Sequence, residues 1–390
     1  MRIFISTGEV SGDLQGAMLV QSLYHYAQSQ GMELEIVGLG GDLMESAGMK
    51  LIANTTAIGS VGLLESIPFI LPTWQVQQLA KKYLQTNPVD LVVLIDYVGP
   101  NLAIGSYLKK QLPNLPIIWY IAPQYWVWTP LEQNVKQLVE ITDKVLAIFP
   151  EEAKFYQEKG LSVTYVGHPL LDRMKTAPTR EQARVKLGLK SEDTVIALLP
   201  ASRKQEIKYL LPVIAKSAQQ IQQKLPDVKF IIPPSLPTYR NAIEQAIKDY
   251  NLNATIVEGK TLEVIASADL AITKSGTVNL ELALLKIPQV VIYKVNPFTI
   301  WFARNVLKFS IPFMSPANLV LMSEIVPELL QEKATLENIV TQSLDLLLNP
   351  ERREKLNLDY QKMCEILGEN QQDVSDRTAK EIINYKLLKN

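Results

Sequence analysis

Sixteen residues, Ala268 to Ala283, bring the makings of an anion site together at one turn. Leu270 to Ile272 read as a short buried strand, Ser275-Gly276-Thr277 as a turn, and Val278 to Leu285 as a helix whose first-turn amides lack intrahelical partners. Hydroxyls at Ser275 and Thr277, the bare backbone of Gly276 and the charge of Lys274 suit a diphosphate seated on the helix N-terminus. Glu281, one turn further in, is placed to accept hydrogen bonds from the two vicinal hydroxyls of a ribose. The same residues also make an ordinary capped helix, so spacing alone leaves both readings open.

Three other places carry polar groups at the end of an apolar strand. Asp96 closes the run Asp90-Leu91-Val92-Val93-Leu94-Ile95, where a carboxylate suits a general base or a hydroxyl-binding group, and equally an N-cap for the helix after Pro100. The loop Thr7-Gly8-Glu9-Val10-Ser11-Gly12-Asp13 follows the strand Arg2 to Ser6 and opens a helix from about Leu14. It offers Glu9 and Asp13 as alternative bases and Ser11 as a substrate contact. Ser202 and Arg203 follow the strand Thr194 to Leu199, where a hydroxyl and a guanidinium suit a phosphate. His168, in Tyr165-Val166-Gly167-His168-Pro169, reads either as a hydrogen-bonding residue of a hinge or as a catalytic group.

The elements that must position these groups alternate strand and helix, which points to α/β architecture with parallel sheets. The first half supplies strands at Arg2 to Ser6, Leu34 to Leu39, Asp90 to Asp96, Ile117 to Ile121 and, last in its sheet, Lys144 to Phe149. After a pause near His168 the second half repeats the scheme, with strands at Thr194 to Leu199, Lys229 to Ile232, Ala254 to Val257, Leu270 to Ile272 and Gln289 to Tyr293. Beyond Thr335 the chain is helical and charged. The aromatic loop Ala122-Pro123-Gln124-Tyr125-Trp126-Val127-Trp128 either lines a sugar or lipid site or packs on the sheet. Ile58 to Trp74 is apolar but broken by Glu65, Pro68 and Pro72, so it reads as a kinked core helix or as an exposed flap that meets acyl chains. Arg304 and Lys308, four apart on an apolar helix, suit a membrane surface or a helix packed between domains.

Composition narrows the partners. With 390 residues, 47% hydrophobic and 20% charged, the chain has enough material for two domains. A net charge of −1 gives no general reason to expect nucleic acid. His25, His168 and Cys364 are too few for a metal site of nitrogen and sulfur ligands, and a lone cysteine suits a reducing compartment. Gly8, Gly12 and Gly16 are spaced by fours and do not form the dinucleotide fingerprint, so no nicotinamide or flavin cofactor is expected. Ile3 to Ile5 is too short a run for a signal peptide, which also favours the cytoplasm.

Taken in order, Gly8 to Asp13, the Asp96 strand end, Pro123 to Trp128, Ser202-Arg203-Lys204-Gln205-Glu206, Ser275-Gly276-Thr277 with Glu281, and Pro316-Ala317-Asn318-Leu319 resemble the lipid-A-disaccharide synthase family, from about residue 1 to about residue 345. The resemblance implies an inverting, metal-independent glycosyltransferase with two doubly wound, Rossmann-like domains facing across a cleft (GT-B) and C-terminal helices. It implies that UDP-2,3-diacylglucosamine is joined to 2,3-diacylglucosamine 1-phosphate, giving UDP and the β-1,6 disaccharide of lipid A. Residues 1–168 would form the acceptor and lipid domain, 169–340 the UDP-sugar domain, and 341–390 helices that return to the first domain or exchange with a partner in a homodimer.

Carried over by position, Asp96 matches the family's proposed base or acceptor-site aspartate, and Arg203 its phosphate-binding arginine. Ser275, Gly276, Thr277 and Glu281 match its nucleotide loop, and Asn318 its asparagine near the diphosphate. Val61, Leu63, Leu64, Phe69, Leu71 and Trp74 fall on the apolar segment assigned to acyl chains and to peripheral contact with the inner face of the cytoplasmic membrane. The family usually has glycine at Ala201, an uncharged residue at Lys274, and a basic cluster where this chain has Thr129-Pro130-Leu131-Glu132. These departures bear on acceptor-phosphate binding and on the choice of donor. A UDP-N-acetylglucosamine epimerase on the same fold and a non-catalytic lipid-binding protein are the rival readings; the first lacks a visible acid, base and histidine cluster, and the second leaves Asp96, Arg203 and the nucleotide loop without a use.

Overall fold

The computed structural model describes residues 1–56, 69–129, 131–200, 204–296, 299–301, 305, 309–368 and 373–388. Two compact units divide the chain. The first takes Met1–Asp172, Leu307–Ser310 and Leu367–Asn390; the second takes Arg173–Val306 and Ile311–Ile366.

In the first unit the strands are β1 (Arg2–Ser6), β2 (Glu35–Gly40), β3 (Lys50–Asn54), β4 (Leu91–Ile95), β5 (Ile117–Tyr120), β6 (Lys144–Ala147) and β7 (Val163–Tyr165). They form one parallel sheet in the order β3-β2-β1-β4-β5-β6-β7. Strands covered on both faces must be apolar throughout, and Leu91-Val92-Val93-Leu94-Ile95 is buried along its whole length. Its neighbours in the core include Phe4, Trp119 and Val145. Each such side chain contributes roughly 1.5–3 kcal/mol through removal from water.

The second unit repeats the winding with β8 (Val195–Leu199), β9 (Lys229–Ile232), β10 (Ala254–Ile256), β11 (Leu270–Lys274), β12 (Gln289–Tyr293) and β13 (Glu328–Leu330). Its sheet runs β10-β9-β8-β11-β12-β13, all parallel, over a core that includes Val195, Ala197, Ile231, Ala271 and Leu282.

Both sheets reverse their winding once, between β1 and β4 in the first and between β8 and β11 in the second. In open α/β sheets the crevice beyond the strand ends at such a point receives ligands. Asp96 and Gly8 lie there in the first unit, Lys274 to Thr277 in the second.

Several elements differ from the sequence reading. The first sheet does not end at β6, because β7 pairs beyond it. The first helix starts at Glu9 instead of Leu14, so Ser11 and Asp13 are helical. Gly8 and Gly12 therefore do not mark a long loop; they permit close approach, since a Cβ on Gly8 would strike the Tyr97 ring and one on Gly12 the Thr7 hydroxyl. The last helix, Val374–Leu387, packs on helix Glu9–Ser29 within the first unit. Asp172 caps it, its two carboxylate oxygens accepting from Val374 N at 3.0 Å and Ser375 N at 2.7 Å.

Candidate functional site

Asp96 follows β4 directly, with φ of 43°, and Tyr97 follows with φ of 49°. Left-handed backbone is uncommon for an aspartate and costly for a tyrosine. Tyr97 holds the N-cap position of helix Val98–Gln111. The reading of Asp96 as the N-cap is thus corrected: the helix begins before Pro100, and the turn places Asp96 one residue outside the cap.

Asn101, fully buried, holds this turn to the neighbouring strand. Its amide nitrogen donates to the carbonyls of Ser6 (3.2 Å), Ile95 (3.1 Å) and Asp96 (2.7 Å), and its oxygen accepts from the Ser6 hydroxyl at 2.7 Å. Sequence reasoning assigned Asn101 no role, because its partners lie 5, 6 and 95 positions away.

Asp13 has a different task from the one expected. Its buried carboxylate accepts from the main-chain amides of Gly41 (2.8 Å), Leu43 (3.1 Å) and Met44 (3.0 Å), capping the short helix Asp42–Ser46. A carboxylate held by three amides braces the turn that it caps. Glu9 is the first residue of its helix, with Ser11 in the same first turn.

Glu152 was passed over in the sequence. It is fully buried at the third position of helix Pro150–Glu158, and its oxygens accept from Ala122 N (2.9 Å), Ile148 N (2.8 Å) and Phe149 N (3.2 Å). Burial pushes its carboxyl up to about 8, against the pull of the three amides, with a further upward push from Asp96. His168 is also buried, its Nδ1 accepting from Leu170 N at 3.2 Å, and burial pushes its pKa down to about 3. That is the hydrogen-bonding geometry at the start of helix Leu170–Lys175.

In the second unit the turn after β11 is built as a helix entrance. Gly276 N donates to Asn279 Oδ1 at 2.9 Å, and Asn279 Nδ2 returns to the Lys274 carbonyl at 2.9 Å. Helix Thr277–Leu284 begins there, so Thr277 and Val278 are in its first turn. Lys274 Nζ lies 3.3 Å from Glu206 Oε1, both largely buried, which ties β11 to helix Lys204–Lys224. Glu281, 5% exposed, accepts from Arg173 Nη1 at 2.5 Å. Burial raises its pKa, and the Arg173 charge opposes the rise. Arg173 is 108 positions away, and nothing in the spacing announces it.

Asn318 is fully buried and committed to the fold. Its oxygen accepts from Ile325 N and Val326 N, both at 2.9 Å, and its nitrogen donates to Val326 O (3.0 Å) and Glu328 Oε1 (2.9 Å). With its hydrogen-bonding capacity taken up by this chain, Asn318 acts as a strut beside the turn that carries Ser275. Glu328 in turn accepts from Met314 N (2.9 Å) and Ser315 N (2.6 Å), while Ser275 Oγ donates to the Met314 carbonyl at 2.8 Å. The motif containing Asn318 thereby braces the turn that carries Ser275.

Ser202, Arg203, Arg304, Lys308, Val61, Leu63 and Leu64 lie outside the described residues. Of the remaining apolar candidates, Leu71 is 62% exposed and Trp74 56%, beside Ile70 at 63%, while Phe69 is partly exposed. All four stand at the start of helix Ile70–Thr86. No helix among the described residues is long and apolar enough to cross a membrane.

The family described as lipid-A-disaccharide synthetase matches residues 3–383. The chain belongs to that family. A lipid-A-disaccharide synthase of Gloeothece citriformis (strain PCC 7424) is 60% identical over 385 residues, covering 99% of this chain and 100% of the relative. One from Synechocystis sp. (strain PCC 6803) is 58% identical, covering 99% and 98%. Among solved structures, the UDP-GlcNAc 2-epimerase of Neisseria meningitidis bound to UDP-GlcNAc superposes with a TM-score of 0.66 at 15% identity, covering all of both chains. That likeness establishes the GT-B type of fold and nothing finer. Synthetase family membership, at high identity over the full length, sets the epimerase reading aside: this is a glycosyltransferase of lipid A biosynthesis.

Proposed function

We propose that the chain transfers a 2,3-diacylglucosamine unit from UDP to the 6-hydroxyl of 2,3-diacylglucosamine 1-phosphate, releasing UDP and forming the β-1,6 disaccharide. The family match over residues 3–383 carries this reading. The second unit takes the donor. Its diphosphate lies over the first amides of helix Thr277–Leu284, beside Ser275, Gly276 and Thr277, with Ser202 and Arg203 on its oxygens and the ribose hydroxyls against Glu281. The braced turn around Ser275 supports this assignment, because a donor site gains from groups that need no reorganisation when charge develops.

The first unit takes the acceptor, and Asp96 is the general base. As the acceptor O6 attacks the donor anomeric carbon, its proton passes to the Asp96 carboxylate. The bond from that carbon to the diphosphate breaks, and its electron pair stays on UDP. The carbon inverts, and the new charge meets the helix amides and Arg203. Glu9 is the alternative base. The apolar start of helix Ile70–Thr86, with Phe69, Leu71 and Trp74, docks at the inner face of the cytoplasmic membrane, where both acylated substrates reside.

Asp96→Asn tests the chemistry. It is expected to keep UDP affinity and lower kcat by about 10²-fold, the usual contribution of a positioned base. Near-parental turnover in Asp96→Asn together with a dead Glu9→Gln would move the base to the first helix.

A further inference from the structure

Asp96 is held from a second direction, and the element that holds it is a buried carboxylate. One peptide group, joining Ile121 to Ala122, carries hydrogen bonds on both edges. Its carbonyl accepts from Asp96 N at 3.1 Å, and its N–H donates to Glu152 Oε1 at 2.9 Å. Ile121 itself has φ of 57°, a rare conformation for a β-branched residue, so Asp96, Tyr97 and Ile121 are all left-handed around this one peptide. Backbone of this kind persists only where its surroundings over-determine it. The other oxygen of Glu152 accepts from Ile148 and Phe149. A helix cap needs only the Phe149 bond. The bonds to Ile148 and Ala122 reach beyond the helix to the ends of β6 and β5, and through Ala122 to the residue after β4.

We infer that Glu152 is a positioning residue for the transfer: acting through the Ile121–Ala122 peptide, it holds the Asp96 main chain in the left-handed turn that aims the Asp96 side chain. This inference rests on the assignment of Asp96 as base. Only an acceptor at both ends of the side chain fits, because each oxygen faces an N–H donor. The amide of a glutamine would set its NH2 against Ala122 N–H or against the Ile148 and Phe149 pair. In the first case the peptide loses its anchor outright; in the second the side chain is pushed off the Ile148 and Phe149 amides that hold its acceptor against Ala122 N.

A double-mutant cycle on the full chain separates this role from a general packing role. Glu152→Gln is expected to lower kcat by about 10-fold or more while the Kd for UDP, measured by calorimetry, changes by less than about twofold. Combined with Asp96→Asn, it should turn over no more slowly than Asp96→Asn alone, since nothing remains to be aimed. Parental turnover in Glu152→Gln, or losses that multiply in the double variant, would overturn the inference. Parental turnover in Asp96→Asn alone would instead overturn the base assignment. If Glu152→Gln does not fold, Glu152→Asp, which keeps the carboxyl group but shortens the arm, is put through the same cycle and read the same way.

Discussion

Replacing Asn101 tests whether the turn at Asp96 depends on side-chain hydrogen bonds or on packing alone. In Asn101→Ala the carbonyls of Ser6, Ile95 and Asp96 lose a shared donor, and the fully buried Ser6 hydroxyl loses its acceptor. The nitrogen has two hydrogens for three carbonyls, so the donated bonds count as about two, worth ~1 kcal/mol each. The orphaned hydroxyl adds ~1 kcal/mol or more. The sum, ~3 kcal/mol, corresponds to a fall of roughly 6–12 °C in the melting midpoint of a unit this size. Asn101→Asp is the control, because it keeps the volume and the acceptor for Ser6 but turns an oxygen toward three carbonyls. Scanning calorimetry at pH 7 should find the aspartate variant at least as unstable as the alanine variant. Kinetics should find turnover reduced in both, with UDP affinity unchanged. An aspartate variant that melts and turns over like the parent would show that shape alone holds the turn, and the account of Asp96 positioning would fail.

Other consequences are open to simpler tests. His168 has a folded pKa of about 3, below that of an unfolded histidine, so the stability linked to its burial is present above about pH 6.5 and lost as pH falls toward 3. Between pH 6.5 and 5 the melting midpoint of the parent should drop faster than that of His168→Gln; parallel curves would show that the ring is not buried neutral. Glu281→Gln should weaken UDP by ~1.5–3 kcal/mol and abolish the preference for UDP over its 2′,3′-dideoxy analogue, as expected for a charged acceptor of ribose hydroxyls. A preference that survives places the ribose elsewhere. Changing Ile70, Leu71 and Trp74 to Ser, at positions 56–63% exposed, should leave stability near parental and reduce sedimentation with anionic liposomes. Unchanged sedimentation would move the membrane contact to another surface.

The inner strands were readable because burial on both faces demands unbroken apolar runs. Arg2 to Ser6, Leu91 to Ile95 and Leu270 to Lys274 stand where sequence reasoning put them, to within a residue or two. The outer strands Lys50–Asn54, Val163–Tyr165 and Glu328–Leu330 were missed, being short and partly exposed, without that signature. Among the site candidates, position at a strand end was readable and the hydrogen-bond partners were not. Asp13 and Asn318 have the residue types of ligand-binding groups, yet each spends its polar atoms on amides and carboxylates of its own unit. Arg173, Glu152 and Asn101 are needed to describe the surroundings of Glu281 and Asp96, but their partners are set by how strands lie side by side, which spacing along the chain does not encode. The left-handed backbone at Asp96, Tyr97 and Ile121 had no glycine to signal it.

The central claim is a transfer in which each UDP released leaves one new glycosidic bond behind. Incubating the full chain with UDP-2,3-diacylglucosamine and 2,3-diacylglucosamine 1-phosphate, and measuring UDP and disaccharide in the same samples by mass spectrometry, tests it directly. Equal amounts of the two products, both absent when either substrate is withheld, are predicted. UDP released without disaccharide, in the presence of the acceptor, would contradict the account and make the chain a hydrolase of its donor.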